Sequence, residues 1–111
     1  MNIEESLVDD VHIVKLTGKM DAVGSRAAQD ALMPSISSGR KLIIDMTGCG
    51  YVASSGLRVL LITAKQAAVV GCRAVLCGVQ PLVWDVIVMT GFEGVLETFP
   101  TQADAIAELK S

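Results

Sequence analysis

No apolar run in this sequence approaches the ~18–20 residues that a membrane-spanning helix needs. The opening "MNIEESLVDD" is acidic and has no apolar stretch of the kind that a secretory signal requires. Basic clusters are missing too. Nine Lys and Arg stand against twelve Asp and Glu, for a formal charge of −3. Nucleic acid and anionic membranes both call for grouped cations, so neither is an expected partner. The three cysteines, Cys49, Cys72 and Cys77, are odd in number and have neither C-x-x-C nor metal-ligand spacing. Buried free thiols in a reducing, cytoplasmic compartment are the expectation. Internal repeats, linkers and low-complexity tracts are also missing.

What remains suits one packed domain. The chain has 111 residues, of which 51 % are hydrophobic, and a mean hydropathy of +0.53. A single core commonly serves a chain of this length, and disordered chains are far poorer in apolar residues. A protein partner or a small ligand is left as the natural object of binding.

Along the chain, apolar runs bounded by turn residues alternate with helical patterns. Strands are expected at Ile3 to Val8 and Val11 to Leu16, joined by a turn at Asp9-Asp10. A helix over Arg26 to Met33 follows, with Ser25 as N-cap and Pro34 near its end. "KLIIDM", Lys41 to Met46, has the length and composition of a buried central strand. The next helix runs from about Ser55 to Val70, with Leu57, Leu60, Leu61, Ala64, Ala67 and Ala68 on one face and Gly71 as its terminator. "CRAVLCG" reads as another strand, Pro81 as the start of a helix through Met89, "VLETF" as a short strand, and Thr101 as the cap of a last helix. This order predicts an α/β fold with a mixed, mostly parallel sheet of four to five strands and crossover helices. One domain spans residues 1–111.

The stretch "GCGYVASSGLRVLL", Gly48 to Leu61, joins a strand to a helix and admits three chemistries. Gly48, Gly50 and Ala53 formally satisfy G-x-G-x-x-A, the turn that cradles a dinucleotide pyrophosphate. No acidic residue ends the following strand to hold the ribose. A catalytic serine needs G-x-S-x-G and a base. "VASSG" offers only the last glycine, and the single histidine, His12, has no acidic partner in view. The third chemistry is modification. Ser54 or Ser55 at a helix N-cap lies where free N–H groups and the dipole favour an anion, so a phosphate is accommodated there. Serines at a helix start also serve plain capping.

Three segments together, "LTGKMDA", "KLIIDMTGCGYVASSGLRVLL" and "VWDVIVMTGFEGVLETFPTQADAI", resemble the STAS-domain family of anti-sigma factor antagonists, and the likeness covers essentially the whole chain. The resemblance implies a small cytoplasmic switch with no catalysis and no cofactor of its own. It implies two partners: an anti-sigma factor that is also a serine kinase, and a serine phosphatase that reverses the modification. The phosphorylated position it implies is Ser54, or failing that Ser55, with Gly56 completing the motif. It also places Asp21 beside the loop, so that Asp21, Tyr51, Ala53, Ser54, Ser55, Gly56 and Arg58 make the partner surface. The family's motif aspartate is replaced by Ala53. Two other readings stand beside the switch: a non-switching scaffold of a signalling or lipid-transport assembly, and a nucleotide carrier using the Gly48/Gly50 loop.

The helix "LVWDVIVM" has Asp85 as its only polar residue. Either it is enclosed on all sides, or Val83, Trp84 and Ile87 form an apolar interface for a partner or a homodimer.

Overall fold

The computed structural model describes residues 1–110. Five strands, β1 (Asn2–Val8), β2 (Val11–Met20), β3 (Lys41–Val52), β4 (Arg73–Cys77) and β5 (Thr98–Phe99), lie side by side in the order of the sequence. Four helices, α1 (Ala22–Ser35), α2 (Ser54–Val70), α3 (Pro81–Met89) and α4 (Gln102–Lys110), complete the chain. β1 runs antiparallel to β2, and every other neighbour is parallel. The β1–β2 turn is the expected Asp9-Asp10 pair, both at positive φ (48° and 69°). Short acidic residues tolerate that conformation, and the twist of such a two-residue turn suits a hairpin.

A sheet that advances steadily in one direction, through crossovers of one hand, puts its connecting helices on one face. The core is divided accordingly. Val14, Leu16 and Met20 of β2 and Leu42, Ile44 and Met46 of β3 pack under α1, α2 and α3. The alternate residues Val11, Ile13, Ile43, Val75 and Cys77 face α4 through Ala105 and Leu109. β3 is buried on both sides through Met46, so its sequence is a continuous apolar run rather than an alternation.

One polar side chain interrupts that run. Asp45, 4 % exposed, accepts from Thr47 N (2.9 Å), Thr47 Oγ1 (2.6 Å) and Gln102 Nε2 (2.8 Å). Burial pushes its carboxyl up, but these bonds and the charge of Lys15 outweigh burial and hold it below the usual carboxylate range. Asp45 thereby ties the start of α4 to the centre of the sheet.

Several boundaries differ from those read in the sequence. β2 and β3 continue past Gly18 and Gly48 to Met20 and Val52, with register shifts between Lys15 and Thr17 and between Gly18 and Lys19. α1 begins four residues before Arg26 because Asp21 is its N-cap, its Oδ1 accepting from Gly24 N at 2.8 Å. Ser25 is therefore inside the helix and 3 % exposed. Pro34 lies within the last turn, and the helix ends one residue later. On α2, Thr63 is fully buried with its hydroxyl bonded to Val59 O (2.7 Å), while Ala68 is exposed. Gly71 caps α2 in the left-handed region, φ 75°, and Thr101 caps α4 through Asp104, both as expected.

Candidate functional site at the start of α2

Because β2, β3 and β4 are parallel, the helices that follow them all begin at one edge of the sheet. The quoted loop is at that edge, and very little of it is loop. Gly48 through Val52 belong to β3, and Ala53 alone separates the strand from α2. Ala53 N donates to Met20 O (3.0 Å), holding the junction to the end of β2.

This geometry removes the phosphate-cradling role for Gly48 and Gly50. Both are strand residues, and both are small because of what faces them. A Cβ on Gly48 would stand 2.9 Å from Thr17 Oγ1, and one on Gly50 would stand 3.2 Å from Gln80 Oε1. Gln80 in turn donates to Thr47 O (2.9 Å), pinning the start of α3 to the same strand. The nucleotide-carrier reading loses its structural basis.

The serines sit one position deeper in the helix than the expected cap. Ala53 is the N-cap of α2, with no side-chain cap bond; Ser54 is the first helical residue and Ser55 the second. Their environments differ. Ser54 is exposed and its hydroxyl has no hydrogen-bond partner among the described residues. Ser55 is half-buried, and its Oγ is 3.2 Å from Ser25 Oγ of α1. Of the two hydroxyls, Ser54 is the one that a second macromolecule can reach.

Gly56 is buried where α2 crosses β2 and β3. A Cβ there would meet Met20 Cβ at 2.7 Å and Met20 O and Val52 Cγ1 at 3.0 Å each. The glycine lets the helix start lie directly on the sheet, and so sets where Ser54 points. Around it, Asp21, Tyr51 and Arg58 are exposed and Ala53 is half-buried. The Asp21 carboxylate is already engaged in capping α1. Beneath the loop, Cys49 is fully buried and donates weakly to Tyr51 O (3.4 Å); burial pushes its thiol pKa up. Cys72 and Cys77 are also buried and free.

Between the first turns of α1 and α2 runs an open groove of about 810 Å³. Ser25, Arg26 and Gln29 line it from α1, and Ser54, Ser55 and Arg58 from α2. The sequence reading included Arg58 and both α2 serines but missed Ser25, Arg26 and Gln29. With Asp21 rather than Ser25 as the cap, Ser25 lies within α1 and turns toward α2, a helix phase that the sequence alone does not reveal. Arg26 and Gln29, three residues apart, do share one helical face, which was the available signal.

The apolar interface expected on α3 is not where the sequence reading put it. Val83 and Ile87, one turn apart, are 1 % and 0 % exposed and belong to the main core, with Trp84 half-buried against it. The exposed apolar residues of this helix are instead Leu82, Val88 and Met89. Helices with apolar residues all round hide which stripe faces the sheet, and only packing resolves it.

Among the described residues no group of His, Cys, Asp and Glu could hold a metal ion, and no helix is long and apolar enough to cross a membrane. His12 instead contacts Glu5 Oε1 at 3.2 Å at the opposite edge, in the β1–β2 hairpin.

The sequence model of the STAS domain matches residues 2–105. BtrV of Bordetella bronchiseptica, which carries the name anti-sigma factor antagonist, is 28 % identical over 112 residues, spanning 100 % of this chain and 97 % of its own. A Mycobacterium paratuberculosis anti-sigma factor antagonist superposes with a TM-score of 0.88 at 22 % identity, over 99 % of this chain and 94 % of that one. The unphosphorylated form of the anti-sigma factor antagonist SpoIIAA gives 0.79 at 18 % identity, over 98 % and 96 %. Its phosphorylated form, from Bacillus, gives 0.73 at 17 % identity, over 97 % and 99 %. At these identities the superpositions show a shared fold. With the family match spanning nearly all of the chain, the protein belongs to the STAS domain family.

Proposed function

We propose that this chain is an anti-sigma factor antagonist controlled by phosphorylation of Ser54, acting in the cytoplasm by binding rather than catalysis. In its unmodified form the face made by Tyr51, Ala53, Ser54, Ser55 and Arg58, with Asp21 beside it, docks on an anti-sigma factor and frees the sigma factor. Gly56, which the family resemblance also assigned to this face, is buried and instead seats α2 on the sheet beneath it. The anti-sigma factor is also the kinase that phosphorylates Ser54, and a serine phosphatase restores the binding form. The carrying observation is the position of Ser54: exposed, unbonded, and held by Gly56 at the first turn of a helix at the open edge of the sheet. Relatives named as anti-sigma factor antagonists, one of them known in both phosphorylation states, support the reading.

Phosphate on Ser54 adds about −1.5 to −2 charges and three acceptor oxygens to a contact surface, enough to oppose docking by repulsion and bulk. The test is incubation with the cognate kinase and ATP, followed by peptide mass spectrometry, alongside binding by wild type, Ser54→Ala and Ser54→Asp. Modification at Ser54 with loss of binding in Ser54→Asp alone is the expected result. An unmodified Ser54 and full binding by Ser54→Asp would leave the scaffold reading, which the missing carboxylate at N-cap Ala53 favours.

A further inference from the structure

The α1–α2 groove has a charge of its own. Its walls hold two guanidinium groups, Arg26 and Arg58, against one carboxylate, Asp30. Neither arginine takes part in an ion pair among the described residues. Ala53 at the head of α2 supplies no negative side chain, and Ser25 and Ser55 satisfy each other across the groove floor. A positive groove on a chain of formal charge −3 runs against the protein's own balance.

We propose that this groove receives carboxylate side chains from an acidic segment of a partner protein, and that phosphate on Ser54 excludes them by occupying the same arginines from within the chain. The occupant follows from charge complementarity. Guanidinium groups contributed by both helices, Arg26 from α1 and Arg58 from α2, suit planar, bidentate recognition of Asp or Glu side chains. Duplex nucleic acid, with a charge every ~1.7 Å, needs a longer cationic stripe than two residues provide. Arg58 lies four residues after Ser54 on α2, the spacing at which helical side chains meet. The charge added by phosphorylation, about −1.5 to −2, outweighs the single unbalanced arginine and turns the groove negative. This inference rests on the proposed function for the place of Ser54, and it adds the chemistry of what docks there.

The probe is a deca-glutamate peptide, titrated into the isotope-labelled protein and followed by amide chemical shifts. Deca-lysine and a ten-nucleotide thymidine strand serve as the other arms. Shifts at Arg26, Gln29, Ser54 and Arg58 with deca-glutamate alone are expected, weakening as salt shortens the Debye length below about 10 Å. Both arginines are exposed, so Arg26→Glu/Arg58→Glu is expected to fold and to lose these shifts. Ser54→Asp is expected to weaken the binding by about threefold or more. Three results overturn the proposal: no shifts in the groove, the same shifts in the double variant, or tighter binding of the thymidine strand. If partner binding is lost in Ser54→Asp but retained in the arginine double variant, the switch stands and the acid-binding groove falls. The opposite pattern removes the switch and leaves the groove.

Discussion

Replacing Gly56 by Ala adds one methyl group where the structure has no space for it. The new carbon would be 2.7 Å from Met20 Cβ and 3.0 Å from both Met20 O and Val52 Cγ1. None of these is the far end of a flexible side chain. Met20 and Val52 are also buried, at 0 % and 7 % exposure, so neither can swing into solvent. The backbone of α2 must move. Overpacking of this kind costs typically 1–3 kcal/mol. Alanine returns at most about 1 kcal/mol of helix propensity, and less in a first turn where the backbone is only partly bonded. The net expectation is a loss of about 1–2 kcal/mol, or a fall in melting temperature of about 4–8 °C at roughly 4 °C per kcal/mol for a domain of this size. Circular dichroism melts and urea titrations of the two proteins measure it. Since Ser54 is two residues away, partner affinity should fall along with stability. A melting temperature at or above that of the parent protein would refute the close approach of α2 to β2 and the role given to this glycine.

Asp45→Asn tests the buried carboxylate. Its folded pKa lies below the unfolded value, so its contribution is whole above about pH 4 and drains as pH falls through the folded value. Urea titrations between about pH 6 and pH 3 should show a steeper acid loss in the parent than in the variant; parallel slopes would exclude the assignment. Asp21→Ala removes the α1 cap bond and should cost about 1 kcal/mol, with Asp21→Ser recovering most of it. Equal stability of all three proteins would show that the cap bond contributes nothing. On α3, Ile87→Ala should cost roughly 2–5 kcal/mol, while Leu82→Ala and Met89→Ala stay within about 0.5 kcal/mol. Comparable losses at all three sites would contradict the assigned face. All three thiols should resist alkylation in the native protein and react on unfolding, Cys77 above all, because burial and then the Asp45 carboxylate push its pKa up to about 12. Rapid native labelling would show that the core opens.

The order of elements was legible because each rests on a local signal. Continuous apolar runs marked β3 and β4, the Asp9-Asp10 pair marked the hairpin, and Gly71, Pro81 and Thr101 marked helix ends. What was hidden is set by tertiary contact. Gly18 and Gly48 look like strand terminators, yet β2 and β3 stay paired past both, through two register shifts, supported by the burial of Met20, Cys49 and Val52 beyond them. "VLETF" is a strand only at Thr98 and Phe99, with Glu97 O accepting from Leu76 N of β4 just before it and Leu96 turned into the core. In the site, the serine and its motif were visible in one dimension. Arg26 and Ser25, nearly thirty residues earlier, join it only when α1 and α2 lie together.

The long pairing of β2 with β3 has a consequence for when this protein can be seen by others. Ser54 acquires its setting from Met20, which grips Ala53, and from Val52, against which Gly56 rests. A nascent or unravelled polypeptide has the same letters but no such surface. Under the proposed function this builds quality control into the message: only a finished domain presents the docking face, and a damaged copy falls silent without any separate inspection.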